Sequence, residues 1–397
     1  MIEVSKALKI VKRETRPLGA ERVALEHAVG RVLAEDIHAD VDMPPFDRSQ
    51  MDGYAVKAAD TMAAPVTLGI LGESAAGQGW HKVLKTGEAV RIMTGAPIPA
   101  GADAVQKIEL TTESNGVVSI TEPTSVGKYI VYKGQEVKKG SKVLRAGEVI
   151  SANNISIPAA FGYARVMVAR RPRVAIISTG SEIVDVGRKP KRDQIRNSNS
   201  IMLKTLCEQA GAIARVFPII GDDLSELKTQ IKTAARGSDI LITTGGVSVG
   251  KYDLTRLALK ELGAECFFER LRLKPGKPTV FARLKKTLVF GLPGNPVSAA
   301  ATFYLFVRKA ILIMQGAVQC DLNNGTAIVS KPVRAPKERD AYLPAVLISE
   351  SDGTLKADPL QWHGSSDFIG FAESDALISI PRGSAFDAGS PVPVLFL

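Results

Sequence analysis

Asp239-Ile240-Leu241-Ile242-Thr243-Thr244-Gly245-Gly246-Val247-Ser248-Val249-Gly250-Lys251-Tyr252-Asp253 is the stretch that decides the fold. Its first half is apolar and β-branched without alternation, which predicts a strand buried on both faces. Its second half holds three glycines, which let backbone N–H groups approach an anion closely, and ends in a carboxylate. A helical pattern follows from about Tyr252 to Leu262 and is closed by Gly263. Strand, glycine turn and helix are the layout of a nucleotide or phosphate site at the carboxyl edge of a parallel sheet.

A P-loop is the rival interpretation of the same stretch. Gly245 to Lys251 spells G-x-x-x-x-G-K, the first seven positions of that motif. The next position of a P-loop is Ser or Thr, whose hydroxyl holds magnesium, but here it is Tyr252. The turn also follows a third predicted strand rather than a first one, and we therefore disfavour a P-loop.

Strands and helices alternate on both sides of this stretch, which predicts a doubly wound parallel sheet. The predicted strands are 174–177, 212–220, 239–243, 265–273, 279–284 and 288–291, and the predicted helices are 200–210, 224–235, 252–262 and the long apolar segment 296–314. Arg308 and Lys309 interrupt the last segment, so we expect a core helix and not a membrane span.

Acidic side chains follow several of these strands, so they are expected at one carboxyl edge with two lysines nearby. Carboxylates are the oxygen ligands that magnesium prefers, and lysines suit phosphate or another oxyanion. One acid after a strand is commonly a helix cap, and Asp223 can be explained in that way. The residues alone therefore predict a magnesium-dependent site for a phosphorylated, nucleotide-like anion, and the residues concerned are Glu182, Asp222, Asp223, Asp253, Lys274 and Lys277.

The remaining chain predicts further domains. Residues 1 to about 40 have helical periodicity at Val4, Leu8 and Val11 and again over 25–33. A stiff loop with adjacent prolines then carries two carboxylates, and a region rich in glycine, proline and short β-like runs follows from 52 to about 137. From about Cys320 the pattern is strand and turn again, which predicts a small barrel or sandwich. Its candidate functional residues are Arg339 and the run 363–366, although spacing alone favours the interpretation that they are exposed loop residues.

Composition narrows the class of protein. The chain of 397 residues is 45% hydrophobic and 23% charged, as in globular proteins with several domains. The net charge of +10 comes without interleaved aromatic residues, so it indicates an anionic small substrate more than a nucleic acid. The three cysteines are far apart and the four histidines have no ligand spacing, which argues against disulfides or zinc. The N-terminus does not resemble a signal peptide, and a cytoplasmic location is expected.

Six stretches, in this order, resemble the molybdopterin molybdenumtransferase family, which includes MoeA and the gephyrin E domain. They are PPFDRSQMDGYAV, MTGAPIPAGAD, STGSE, TTGGVSVGKYD, KPGKP and GLPGNPVSA, and they lie between residues 44 and 299. The resemblance implies an extended homodimerisation domain (1–45 with 138–170), an inserted small β domain (46–137), a MogA-like α/β molybdopterin-binding domain (171–320) and a C-terminal β barrel (321–397). It also implies transfer of molybdate into adenylylated molybdopterin, with release of AMP and help from Mg²⁺.

The resemblance further implies roles for individual residues. Glu182, Asp222 and Asp253 correspond to acids around the metal and the adenylylated pterin, and Asp47 is implied as a catalytic acid. The implied substrate-binding residues are Thr94, Gly245, Gly246, Ser248, Lys274, Lys277, Ser298, Arg339 and Ser365. Three positions depart from the family pattern: Arg48 stands where Asn is usual, Gln50 where Ala is usual, and Glu136 where Asp is frequent.

These residues suggest a mechanism in which an oxyanion binds at Lys274, Lys277 and Arg339 before the phosphoanhydride is cleaved. Magnesium at the acids would offset charge on the departing AMP phosphate. Two alternatives stay open at this point: insertion of tungstate, which shares the charge and shape of molybdate, and a gephyrin-like scaffold without catalysis. A separate molybdopterin adenylyltransferase is expected as a transient partner.

Overall fold

The computed structural model describes residues 1–246, 254–360, 364 and 367–397. The chain forms two compact units. The first contains residues 1–35, 146–152 and 165–397, and the second contains residues 36–145 and 153–164. The prediction of an α/β chain with several domains and a C-terminal barrel is confirmed, whereas the four domain boundaries stay predictions.

The first unit contains a six-stranded mixed sheet. The Ile240–Thr244 strand lies inside it, parallel to Arg173–Ser178 on one side and to Thr287–Leu292 on the other. The predicted parallel arrangement does not hold throughout, because one strand near an end, Val280–Leu284, runs antiparallel to both of its neighbours. The physical reason is a tight hairpin at Lys285, which returns the chain directly beside its own strand. The strand order is Ile213–Val216, Arg173–Ser178, Ile240–Thr244, Thr287–Leu292, Val280–Leu284 and Glu265–Phe268.

Both faces of this sheet are covered by helices, as the unbroken apolar strands predict. Ile240 and Ile242 enter one core, whereas Leu241 points to the other. The first core is shared with helices Val4–Glu14, Ser198–Gln209 and the segment from Pro296 to Met314, and the second with Leu224–Ala235 and Leu254–Glu261.

The segment from Pro296 to Met314 is a continuous helix with one irregular turn. It consists of Pro296–Thr302, a π-helical turn over Phe303–Val307, and Arg308–Met314. Its length and composition would suit a membrane span, but 83% of its most apolar 18-residue stretch is buried inside the protein. It is therefore the core helix that the sequence predicted.

The N-terminal prediction is only partly correct. Val4–Glu14 is helical, but residues 25–33 contain one short 3₁₀ turn, Leu25–His27. The apolar residues after it are buried in extended backbone, where Val32 bridges to Val149 and Leu33 to Val168. Strand Ala20–Ala24 pairs with Arg165–Ala169.

The C-terminal region is a closed barrel of five strands. Asp340–Ser349 pairs with both Leu355–Pro359 and Ala376–Ile380, and Pro391–Phe396 closes the ring against Asn324–Val329. Short strands Ile183–Val184 with Ile195–Arg196, and Val333–Arg334 with Ala385–Phe386, and the helix Phe368–Phe371 complete the first unit.

The second unit is built on another six-stranded sheet. Its strand order is Ala104–Lys107, Gly53–Val56, Glu88–Ile92, Val66–Ser74, Val117–Ile120 and Thr111–Ser114. Two-stranded pairs extend it, Arg48–Ser49 with Ile130–Val131 and Ile37–His38 with Lys142–Leu144. The helices are Ala58–Thr61 and Ser156–Ala160, with a 3₁₀ turn at Ile108–Leu110.

Candidate functional site

A short parallel pairing brings Arg339 beside the lysine loop. Strand Leu273–Lys274 pairs with the start of the barrel strand Asp340–Ser349, so that Leu273 lies opposite Asp340. The Asp340 N–H donates to the Arg272 carbonyl at 2.9 Å. Because Arg339 directly precedes this barrel strand, the pairing holds its backbone close to that of Lys274. The lysines are therefore held by a contact with the barrel and not, as we had expected, by the end of a strand in the central sheet.

The lysine loop itself is a tight turn. The Leu271 N–H donates to the Lys277 carbonyl at 2.9 Å, and the Thr279 hydroxyl donates to the Gly276 carbonyl at 2.7 Å. Gly276 has a φ of +112°, and a Cβ atom there would lie 2.5 Å from Cγ2 of Thr302. Only glycine fits this position without displacing a neighbour.

The lysine loop lines a cavity of about 490 Å³ whose described lining residues include no acid. Within the described part of the chain, none of its three cations has an ion-pair partner. Cations that are not neutralised by carboxylates, together with a hydroxyl, are a suitable environment for an oxyanion. The polar and charged side chains around the cavity are Lys274, Lys277, Arg339, Asn295 and the buried Ser298.

The glycine turns at the carboxyl edge of the central sheet contact each other directly. Gly245 has a φ of +88°, and a Cβ atom there would lie 2.2 Å from the Thr179 carbonyl oxygen. At Gly246 an added Cβ would lie 2.8 Å from the Thr179 hydroxyl. The two glycines therefore allow backbone to approach backbone at the edge where the sequence predicts a phosphate cradle.

A buried polar network links this edge to the cavity. The Asn199 amide donates to the Thr244 hydroxyl at 3.0 Å and to the Gly294 carbonyl at 2.7 Å. The Thr244 hydroxyl in turn donates to the Pro293 carbonyl at 3.1 Å. Because Pro293 lines the cavity, the end of the Ile240–Thr244 strand and the cavity wall are held together.

Four buried polar atoms near this edge have no hydrogen-bond partner among the described residues. They are Oγ1 of Thr179, Oδ1 of Asn199, Oγ1 of Thr243 and Oγ1 of Thr255. Buried polar atoms without partners are rare in folded proteins. Their hydrogen-bonding capacity suits a site that takes a polar ligand.

The neighbouring acids Asp222 and Asp223 have different contacts. Asp223 accepts a hydrogen bond from the Glu226 N–H at 2.8 Å and caps the helix Leu224–Ala235. Its interpretation as a helix cap is therefore confirmed. Asp222 instead accepts from the Ser181 hydroxyl at 2.8 Å and remains exposed. The carboxylate of Glu182 folds back over Gly180, where an added Cβ would lie 2.4 Å from it.

Several predicted residues lie outside the described part of the chain. These are Ser248, Asp253, Ser365 and most of the segment that raised the P-loop alternative. Within the described residues, no group of three Asp, Glu, His or Cys side chains is arranged to hold a metal ion. Glu182 and Asp222 are therefore the described members of the predicted metal site.

Asp47 and Thr94 belong to the second unit, where adjoining loops hold them. The Ile98 N–H donates to the Asp47 carbonyl at 2.9 Å, and the Asp47 carboxylate accepts from the Lys133 N–H at 2.7 Å. Asp52, which our selection of site residues omitted, accepts hydrogen bonds from Thr94 at 2.7 and 2.8 Å. These bonds, first the backbone one and then that of the hydroxyl, hold the pKa of Asp52 below its ordinary value. The signal for Asp52 was its place in the same charged loop as Asp47.

Comparison with known families matches three regions of the chain. Residues 2–162 match the MoeA N-terminal region (domain I and II), residues 175–312 a probable molybdopterin binding domain, and residues 326–397 the MoeA C-terminal region (domain IV).

Relatives of similar length match nearly the whole chain. A protein from Bacillus subtilis (strain 168), named molybdopterin molybdenumtransferase, is 37% identical and covers 100% of this chain and 94% of its own. One of the same name from Staphylococcus aureus (strain COL) is 35% identical over 99% of this chain and 95% of its own. The crystal structure of a molybdopterin biosynthesis moeA protein from Pyrococcus horikoshii OT3 has a TM-score of 0.86 at 30% identity, and 100% of each chain is covered.

Proposed function

The chain belongs to the molybdopterin molybdenumtransferase family, and from this premise we propose that it inserts molybdate into adenylylated molybdopterin and releases AMP. The relatives' names supply the reaction, and the three matched regions fit molybdenum cofactor biosynthesis.

The observation that carries the proposal is the cationic cavity. Molybdate is a small tetrahedral dianion, and Lys274, Lys277 and Arg339 would bind it with charge-assisted hydrogen bonds. The hydroxyl of Ser298, and that of Ser365 after Gly364, would add neutral donors. In this proposal the cavity orients the oxyanion toward the dithiolene sulfurs, which is catalysis by positioning.

The glycine turns would hold the pterin nucleotide beside the cavity. Gly245, Gly246 and Ser248 would receive its phosphates, because glycine leaves backbone N–H groups accessible to an anion. The network from Asn199 to Gly294 supports this assignment, since it fixes the phosphate edge relative to the oxyanion cavity.

We include magnesium in the proposal because of the chemistry of the carboxylates that would hold it. Glu182 and Asp222 are exposed carboxylates at the phosphate edge, and magnesium commonly takes one or two carboxylates plus substrate phosphates. Glu182, Asp222 and Asp253 would hold it, and when bound it supplies positive charge against the departing AMP phosphate. The Ser181 hydroxyl orients Asp222 for this task.

We assign Asp47 and Thr94 to the same reaction as residues of a homodimeric enzyme. A transient contact with a molybdopterin adenylyltransferase would deliver the substrate, because adenylylated molybdopterin is a reactive anhydride. The three cysteines are free thiols, which fits the reducing cytoplasm.

AMP release from adenylylated molybdopterin, measured with and without molybdate, tests the proposed function. We expect release that requires molybdate and that falls about tenfold in Lys277→Gln at molybdate concentrations below saturation. Release that proceeds equally without molybdate would refute the proposal.

The relatives are named for molybdenum transfer, which favours molybdate over tungstate as the substrate and favours catalysis over a scaffold role. Competition between molybdate and tungstate, followed by metal analysis of the product, checks the preference between the two oxyanions.

A further inference from the structure

The turn that carries the two cavity lysines has its carbonyl groups bonded inside the protein. The Thr279 hydroxyl donates to the Gly276 carbonyl at 2.7 Å. The Lys277 carbonyl accepts from the N–H groups of Leu271 and Thr279 at 2.9 and 3.1 Å. Thr279 is fully buried and does not line the cavity, whereas Gly276 and Lys277 do. The Gly276 carbonyl therefore points toward a buried side chain behind the cavity wall.

The N–H groups of the same turn are left unpaired. Pro275 and Pro278 have no N–H, so Gly276 and Lys277 supply the only two donors of this four-residue stretch. In the described ranges of the chain, neither of these N–H groups has a hydrogen-bond partner. Most backbone N–H groups of folded proteins are bonded to protein or to water. Unpaired backbone donors in the wall of a cationic cavity are therefore available to an anion.

The planarity of the peptide bond connects these two observations. In a trans peptide, the carbonyl oxygen of one residue and the N–H of the next point in opposite directions. The Gly276–Lys277 peptide is trans, so the Lys277 N–H points away from Thr279. Because Gly276 has no Cβ, this peptide could otherwise rotate and present its carbonyl oxygen, which would repel an oxyanion. The bond from Thr279 selects the orientation that presents a donor.

We propose that the Lys277 N–H donates to the bound oxyanion and that Thr279 is the positioning residue that orients it. The inference rests on the proposed function, since it adds a backbone donor for the molybdate assigned to this cavity. A threonine hydroxyl often bonds to a nearby carbonyl, which by itself indicates only a local turn. A Thr279 with that role alone would stabilise the turn without contributing to the affinity for an anion.

Thr279→Val, which has nearly the same shape but no hydroxyl, tests the positioning role. We expect the KM for molybdate in AMP release to rise about tenfold, because one hydrogen bond to a charged group is lost. We expect kcat at saturating molybdate to stay within about twofold of wild type, because the lost bond holds the oxyanion equally before and during the reaction. Thr279→Ser keeps the hydroxyl and should restore the KM to within about twofold of wild type.

Thr287→Val is a matched control for the loss of a buried hydroxyl. Thr287 is 4% exposed, and its hydroxyl donates to two backbone carbonyls at 2.9 and 3.0 Å. It begins the strand Thr287–Leu292, at the opposite end from Pro293 in the cavity wall. We expect Thr287→Val to lower the unfolding midpoint at least as much as Thr279→Val does, and to leave the KM for molybdate unchanged.

A spectroscopic measurement on the wild-type protein tests the donor directly and does not depend on the stability of Thr279→Val. Combined labelling with ¹³C-carbonyl glycine and ¹⁵N-lysine selects the amide signals of Gly–Lys pairs, of which the chain has three, at Lys128, Lys251 and Lys277. The signal that disappears in Gly276→Ala belongs to Lys277. On titration with sodium molybdate alone, we expect this amide proton to move downfield and to exchange more slowly with solvent, because it gains a charged acceptor.

Three results would each overturn the inference. They are a Lys277 amide signal that molybdate leaves unchanged, a wild-type KM in Thr279→Val, and an equal rise of KM in Thr279→Val and Thr287→Val. Failure of the proposed function has a different sign, which is wild-type AMP release that does not need molybdate. The amide titration contains no nucleotide, so it decides the inference independently of that outcome.

Discussion

The carboxylate of Asp52 accepts two hydrogen bonds from Thr94, one from the backbone N–H at 2.7 Å and one from the hydroxyl at 2.8 Å. The two residues flank paired strands of the second unit, since Gly53 lies opposite Ile92. The hydroxyl of Thr94 is therefore oriented by an acid, and any ligand of Thr94 also depends on Asp52.

Asp52→Asn should reduce AMP release, because both bonds that Thr94 donates would then go to a neutral amide oxygen and would be weaker than bonds to a carboxylate. The pKa of Asp52 is lowered from its ordinary 3.8, so its stabilising effect is present above that value and is lost as the pH falls through the lowered pKa. The unfolding free energies of wild type and Asp52→Asn should therefore differ at neutral pH and converge in acid, which denaturant titration measures.

Thr94→Val should reproduce the activity loss of Asp52→Asn, whereas Thr67→Val is a matched control. Thr67 is exposed in the same sheet, and its hydroxyl contacts only Ser119 among the described side chains. A constant difference in unfolding free energy at every pH would contradict the assigned role of the Asp52 carboxylate.

Replacing any one cation of the cavity by glutamine should weaken molybdate binding. A hydrogen bond to a charged group is worth about 1.5–3 kcal/mol, so the Kd should rise about tenfold or more for Lys274→Gln, Lys277→Gln or Arg339→Gln. Titration calorimetry with molybdate measures this, and added salt should shrink the difference. Lys286→Gln, in the exposed hairpin turn, should bind as wild type does.

Alanine at each of two adjacent acids should separate stability from catalysis. Asp223→Ala removes a helix cap and should cost about 0.5–2 kcal/mol of unfolding free energy with little effect on AMP release. Asp222→Ala should do the reverse, because its carboxylate caps no described helix. Equal activity losses in the two variants would contradict the assignment of Asp222 to the metal site.

Gly276→Ala should lower both stability and molybdate affinity, because the added methyl would lie 2.5 Å from Cγ2 of Thr302. Overpacking of this kind costs about 1–3 kcal/mol. Adding Thr302→Ser removes that Cγ2 methyl but keeps the hydroxyl, which donates to the Ser298 carbonyl, and should restore part of both losses. Gly187→Ala, with nothing near an added Cβ, should have no comparable effect.

Local sequence patterns predicted most of the α/β fold. Helix Leu224–Ala235 was predicted at its observed bounds because a capping acid precedes it and Gly237 follows it. The helix predicted over residues 25–33 is wrong because the same apolar spacing is satisfied by bridges from Val32 and Leu33 to distant residues. Periodicity cannot distinguish these cases, because long-range pairing decides between them.

The functional site was harder to predict than the fold, because it also depends on pairing between segments that are far apart in the sequence. The glycine turns after each strand share one edge by topology alone, and the contact of Gly245 with Thr179 agrees with that. The proximity of Lys274 to Arg339 depends instead on a two-residue pairing between segments that are far apart in the sequence. Only the resemblance to a family had suggested that Arg339 belongs with the lysines.

The pairing of Leu273–Lys274 with the barrel has a consequence for dynamics. An oxyanion held by Lys274 and Arg339 together is held by both partners of that pairing, so its binding energy also opposes their separation. Molybdate should therefore slow amide hydrogen exchange at Asp340 and Ala341 and protect the barrel strand Asp340–Ser349 from proteases, although this strand lies outside the sheet that carries the glycine turns.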